Sequence, residues 1–260
     1  MTAAVAGLRE MARGHFWFLP GIALAGWALL IAFDQALMLP RLCGMDGIRT
    51  FFTFSLPTAV AFNSAGAIAL SWLLMLTAMT APLLHRPLAQ VWAMSFAERR
   101  WRATALFLLG FLMTWLLAIA LLMLCALALR TAFGAGPLLP FLLVLGVSVV
   151  WQGTSMRRQN LNRCHAFAPL PAFGLAAEWG SMRFGFTNAC ACVGACWSLM
   201  LLSFVAGAAH LYVMVGAAVI MFAERYARPR ASRTDAPLVL AGSAVVLGST
   251  AAALLWPGSL

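Results

Sequence analysis

From Thr104 to Leu129 the chain carries no charged residue, and the stretch reads TALFLLGFLMTWLLAIALLMLCALAL. A helix that crosses a hydrocarbon core of about 30 Å needs roughly 20 such residues. A helix on the surface of a soluble core would instead show one polar face. Six further stretches are apolar over comparable or somewhat shorter lengths. Together they predict spans at approximately 16–38, 64–84, 104–129, 137–156, 186–207, 209–224 and 237–257. Backbone within lipid must satisfy its own hydrogen bonds, so the expected class is all-α. The expectation is a polytopic transmembrane helix bundle of about seven spans, a single integral membrane domain over 1–260. The whole-chain figures of 63% hydrophobic and 9% charged residues agree with it, since soluble domains carry about 25% charge.

Every one of the 17 basic residues is arginine. In a soluble protein that surplus would suggest nucleic acid, but here its distribution points to membrane orientation, and no nucleic-acid partner is expected. Arg9 and Arg13 precede the first span. Arg86, Arg99, Arg100 and Arg102 follow the second, Arg157, Arg158, Arg163 and Arg183 the fourth, and Arg225, Arg228, Arg230 and Arg233 the sixth. The alternate connections hold only Arg41, Arg49 and Arg130. The positive-inside rule then puts the N-terminus in the cytoplasm and the C-terminus outside a bacterial-type inner (plasma) membrane, with the lipid bilayer as partner. The first apolar run is too long for a signal-peptide core and no A-x-A pattern follows it, so it reads as an uncleaved span.

Two connections are long. HRPLAQVWAMSFAERRWRA (85–103) mixes Trp92, Phe96 and Trp101 with arginines and suits an amphipathic interfacial helix. The 164–185 segment, with two prolines and Trp179, reads as an interfacial re-entry.

Ionisable residues inside spans are expensive and are the first places to look for function. Asp34 and Gln35 fit snorkelling at the outer end of the first span. Glu224 and Arg225 suit an interfacial ion pair, and His210 falls in the outer turn between spans five and six. Sulfur is concentrated elsewhere. In CACVGACWSLM (190–200), Cys192, Cys196 and Met200 recur at i, i+4 and i+8 and share one helical face, while Cys190 points away from it. Topology puts them in the cytoplasmic half of the fifth span. Cys164 and His165 follow the cytoplasmic end of span four. Met75 and Met79, again i and i+4, reach a similar depth in span two. Thiols, thioethers and an imidazole at one depth suit Cu(I) best, with zinc a poorer fit. The competing reading is packing, because cysteine, alanine and glycine fill helix contacts in membranes and methionine fills gaps.

GACWSLM (194–200), VAGAAHLYVM (205–214), AER (223–225), WLLMLTAM (72–79) with Pro82, and WQGTSMRRQNLNRC (151–164) together resemble, in order, a bacterial family of predicted metal-binding integral membrane proteins. The resemblance covers roughly residues 70 to 225. It implies metal ligands at Cys164, Cys192 and Cys196, with Met75 and Met79 in the matching span-two motif. The chain departs from that pattern at three positions. Ala195 stands where the family pairs a second cysteine with Cys196, Asn160 stands at the first cysteine of the span-four pair, and His210 replaces an asparagine.

Two functions follow from different classes. In the first, the chain binds a soft metal, copper above all, for handling, delivery or transport. Cys164, Cys192 and Cys196 would supply thiolates, Met75, Met79 and Met200 thioethers, and His165 an imidazole. In the second, it is a non-catalytic membrane subunit or anchor that docks a membrane or soluble protein partner, its sulfur serving as packing. Neither reading requires an enzyme. No P-loop, paired carboxylates or nucleophile–histidine–acid pattern is apparent in the spans, and a thiol-redox enzyme would need a Cys192–Cys196 disulfide.

Overall fold

A computed structural model describes residues 16–36, 65–133, 138–166, 169–171, 173–206 and 210–226. The described residues form α1 (Leu19–Ala36), α2 (Ala65–Thr80), α3 (His85–Met94), α4 (Arg100–Phe133), α5 (Leu138–Gln152), α6 (Ser155–His165), α7 (Gly174–Val205) and α8 (His210–Tyr226). Two single turns of 3-10 helix, Ala81–Leu84 and Ala97–Arg99, join α2 to α3 and precede α4. No strand occurs among these residues. The all-helical class follows from the sequence. The stretch expected to form a seventh span, 237–257, lies outside the described residues, as does Cys43.

Among the described residues, only α4, with the turn before it, and α7 are long and apolar enough to cross a membrane on their own. The α5–α6 pair, bent by 66°, counts as a third if taken as one broken span. The break has local causes. Gly153 and Thr154 close the last turn of α5, their N–H groups donating to the carbonyls of Val150 and Trp151. The Thr154 hydroxyl accepts from the Arg157 N–H at 3.2 Å and caps α6. Pro82, early in the 3-10 turn after α2, has no N–H to donate and ends that helix in the same way.

Two connections differ from the sequence expectation. Residues 85–103 do not form one interfacial helix. The chain is extended at Ser95 and Phe96, so α3 and the start of α4 are separate, with the Trp92 and Trp101 rings edge-on at 5.0 Å. The predicted re-entry at 164–185 is mostly helix, because α7 begins twelve residues before the expected 186. At Gly174, φ is +65°, a backbone region that disfavours any residue with a Cβ, and it turns the extended Phe173 into the helix.

Packing is organised around α7, which touches α4, α5, α6 and α8. The α4–α7 crossing is the most intimate contact. A Cβ at Gly185 would lie 2.0 Å from the Phe107 carbonyl oxygen, and one at Gly110 would lie 2.3 Å from that of Met182. Only glycine lets two backbones approach so closely, the usual device for helix contact where apolar burial gives no driving force. Above that crossing Phe107, Phe111, Trp115 and Ile119 are fully buried at four-residue spacing. Leu109, Met113, Leu117, Leu121 and Leu124 on the same helix are exposed.

Charged side chains also meet across helices. Arg99 and Arg102 at the start of α4 pair with Glu178 at the start of α7, Arg102 at 2.8 Å. At the far end of α8, Glu224 pairs with Arg157 and the Tyr226 hydroxyl donates to the Pro82 carbonyl at 2.9 Å.

Candidate functional site

The i, i+4 face of α6 lies against the middle of α7, and this contact collects the thiols. Asn160 occupies the space over Gly194, where a Cβ would come within 2.6 Å of the Asn160 Nδ2. One turn further along, the Cys164 side chain lies near that of Cys192, close enough to act on its ionisation. Cys192 in turn contacts Cys196, whose S–H donates to the Cys192 carbonyl at 3.0 Å. The three sulfurs form a line from α6 into α7. Among the described residues no group of three or more His, Cys, Asp or Glu side chains is arranged to hold a metal ion. All five described cysteines are free thiols.

The remaining sulfur divides by face. Cys190 is exposed, on the other side of α7 from Cys196. It lines a cavity of about 430 Å³ that Asn160 and Asn188 also border. Met75, Met79 and Met200 are buried in the same apolar cluster as Cys196, with 0%, 2% and 0% of their surface exposed. Met200 lies on α7 with Cys192 and Cys196, while Met75 and Met79 lie on α2, which packs chiefly on α1 and the 3-10 turn after it; Cys164 lines a cavity with His165.

Two buried arginines hold this arrangement. Arg157, 2% exposed, donates through Nε to the Ala195 carbonyl at 3.3 Å and pairs with Glu224. Arg225, 7% exposed, donates to the Cys164 carbonyl and to Asn188 Oδ1 at 3.5 Å. The pairing expected from sequence, Glu224 with its neighbour Arg225, is replaced by cross-helix partners. Consecutive residues on a helix point about 100° apart, so these two serve different neighbours. Two more bonds fix α5 on α7: Ser148 Oγ donates to the Ser198 carbonyl at 3.0 Å and Trp151 Nε1 to that of Gly194 at 3.2 Å. Asn188 could have been noticed in the sequence as a polar residue inside an apolar run. Nothing in the local pattern separates the buried Arg157 from the exposed Arg158 beside it.

Electrostatics at Cys164 and His165 act in two directions. The nearby Cys192 thiol and then burial push the Cys164 pKa up, while the Arg225 guanidinium favours its thiolate. His165 is pulled down to about 4 from an ordinary 6.5, by burial first and then by Arg225 and Arg86, with the Glu224 backbone opposing. Its imidazole is neutral at pH 7 and so retains a lone pair for a ligand. His210 has a structural place: its Nδ1 is 2.7 Å from the Ser203 carbonyl and its ring stacks on Phe204 across the α7–α8 turn.

Thiols and an imidazole are donors of the kind that soft metals take. No curated protein and no solved structure matches the chain. A family model described as PpoB2, a copper chaperone, matches residues 69–249, well over half of the chain and inclusive of every sulfur described above, and the chain belongs to that copper chaperone family.

Proposed function

We propose that the protein is a multi-pass inner-membrane copper handler that takes Cu(I) from the cytoplasmic side and passes it along sulfur ligands. The observation that carries this reading is the closeness of Cys164 on α6 to Cys192 on α7, continued to Cys196. Cu(I) prefers soft ligands and is content with two or three of them, so pairwise contacts along a line suit stepwise exchange of the ion. Cys164, Cys192 and Cys196 supply thiolates, Met200, Met75 and Met79 thioethers deeper in the bundle, and His165 an imidazole at the mouth. Zinc, which wants four ligands around one centre, is the poorer fit.

Membrane integration rests on the exposed surface. The outward stripe of α4 is entirely apolar, an unusual surface to leave to water. Beside the Arg99, Arg102 and Glu178 cluster Trp101, Phe173 and Trp179 are exposed, as in an interfacial aromatic belt. Together with the arginine distribution they favour one membrane domain over 1–260 with about seven spans, N-terminus inside and C-terminus outside.

Copper retention decides between readings. Purified protein loaded with Cu(I) should keep a stoichiometric ion that Cys192→Ser with Cys196→Ser largely removes. Unchanged copper in that double variant rules the sulfur line out. Asn160 and Ala195, standing where the resemblance expects thiols, favour a second reading, a non-catalytic anchor for a partner protein. A stoichiometric partner co-purifying without copper would support that alternative.

A further inference from the structure

We propose that the cavity between α6 and α7 beside Cys190 seats a small thiol that bears a carboxylate, and that Cys190 takes Cu(I) from that thiol. On the copper reading given above, on which this rests, the ion reaches the Cys164 side of the molecule as such a thiolate complex. Cys190 is an exposed free thiol that takes no part in the line of Cys164, Cys192 and Cys196. Its cavity has a volume of about 430 Å³ and is lined by Asn160 and Arg163 from α6 and by Phe184, Phe186, Asn188 and Cys190 from α7. That is room for a small molecule and not only for a bare ion. Cu(I) needs a second soft ligand, and no other sulfur among the described residues lines this space. The second sulfur therefore arrives with the ligand.

The rest of the wall says what that ligand carries. Arg163 is exposed and pairs with no carboxylate among the described residues, and no Asp or Glu lines the cavity. Asn188 is only 7% exposed. Its Oδ1 accepts from Arg225, and its Nδ2 has no hydrogen-bond partner among the described residues, yet it is not sealed away from open space. A donor left without a partner on so buried a side chain calls for an acceptor from outside. The Asn160 carboxamide borders the same space. A guanidinium takes a carboxylate through parallel N–H donors, and amide N–H groups add to it. Phe184 and Phe186 give the carbon skeleton an apolar side.

Position joins this cavity to the thiol line. Asn188 and Phe184 also line the cavity at Cys164 and His165, so the two spaces share a wall. In the exchange, a Cu(I) ion held by two small thiolates gives up one of them to Cys190. A Cu–S bond forms at Cys190 as one to the departing thiolate breaks. The Cys190 proton goes to the thiolate that leaves, and the copper stays Cu(I).

The test uses the full chain purified in a neutral detergent under reducing conditions. Copper-free reduced glutathione, a thiol that carries carboxylates, is titrated by calorimetry, and saturable binding is expected. Cu(I) uptake is then timed from three donors: the glutathione complex, the complex of 2-mercaptoethanol (a neutral thiol without a carboxylate), and Cu(I) in acetonitrile. Uptake from the glutathione complex should be faster than from the mercaptoethanol complex. Arg163→Gln should weaken glutathione binding by about tenfold or more, the worth of a charge-assisted hydrogen bond, and remove that advantage. Cys190→Ser should still bind copper-free glutathione but lose the fast uptake. Arg158→Gln, at an exposed arginine on α6 away from the cavity, should behave as the parent. The proposal is overturned if glutathione does not bind, if Arg163→Gln binds it as well as the parent, or if Arg158→Gln weakens it equally. It is overturned too if the two thiol complexes load at the same rate, or if Cys190→Ser loads from glutathione as fast as the parent. A parent that takes up no copper even from acetonitrile sinks the copper reading instead, and the calorimetry still judges the cavity.

Discussion

The two longest described helices, α4 and α7, are of similar length and use their surfaces in opposite ways. In α4 one face is a buried aromatic ladder and the other an exposed apolar stripe, with glycine only at the crossing. In α7 the most apolar stretch is largely covered by four neighbours, and the helix carries asparagine, serine, glycine and cysteine within it. A helix that faces an apolar surround on one side needs little beyond size and hydrophobicity there. A helix enclosed by others must answer every polar group, and it is there that the thiols are held in contact. The backbone carbonyls of Gly194, Ala195 and Ser198 each receive a side chain from α5 or α6, which orients the segment carrying Cys192 and Cys196.

That contrast can be broken at the enclosed side first. Arg157→Ala should cost about 3–5 kcal/mol, because it removes a buried guanidinium that pairs with Glu224 and donates to the Ala195 carbonyl. Thermal unfolding in detergent, read against the parent, measures this. A loss under about 1 kcal/mol would mean that the ion pair is solvated.

The exposed side is tested next. Leu117→Arg on the α4 stripe should cost about 2.5–3.5 kcal/mol of apparent insertion free energy if that face meets lipid. In a reporter assay for membrane insertion, Leu117→Ala should be nearly silent. An arginine tolerated as well as the alanine would show that the stripe faces water or a polar partner.

A third substitution probes the crossing itself. Gly185→Ala places a methyl group against the Phe107 carbonyl, where only a backbone shift makes room. About 1–3 kcal/mol of destabilisation is expected, and alanine at Gly146, which has open space, serves as the control. Equal melting temperatures for the two variants would mean that α4 and α7 separate easily.

The smallest effect on stability is expected from Asn160→Cys. It returns a thiol one turn from Cys164, beside Gly194. Copper retained after dialysis against a competing chelator should rise above the parent value, while the melting temperature stays close to it. A variant that holds no more copper than the parent would separate α6 from the metal path.

Much of this was legible in residue order. The i, i+4 recurrence of Cys192, Cys196 and Met200 already implied one face, and Cys190 lies off it, as a period of 3.6 requires. The 66° bend at Gly153–Thr154 falls inside the span expected at 137–156, where a glycine followed by a capping threonine is a local signal for a helix stop and restart. The early start of α7 was hidden by Glu178 and Arg183, which interrupt the apolar pattern. Glu178 is accommodated because Arg99 and Arg102 neutralise it.

Hydrophobicity and charge act locally and add along the chain, so the helical class, the apolar stretches and the arginine-rich ends could be read from order alone. The sequence by itself also determined which sulfurs share a face, because helical periodicity is a property of one element. Which helices touch depends on side chains from distant positions meeting at a distance of a few ångströms, and no local pattern carries that information. Only the tertiary structure decided that Arg157 rather than Arg225 takes Glu224, that Gly110 and Gly185 let α4 close on α7, and that Cys164 lies against Cys192.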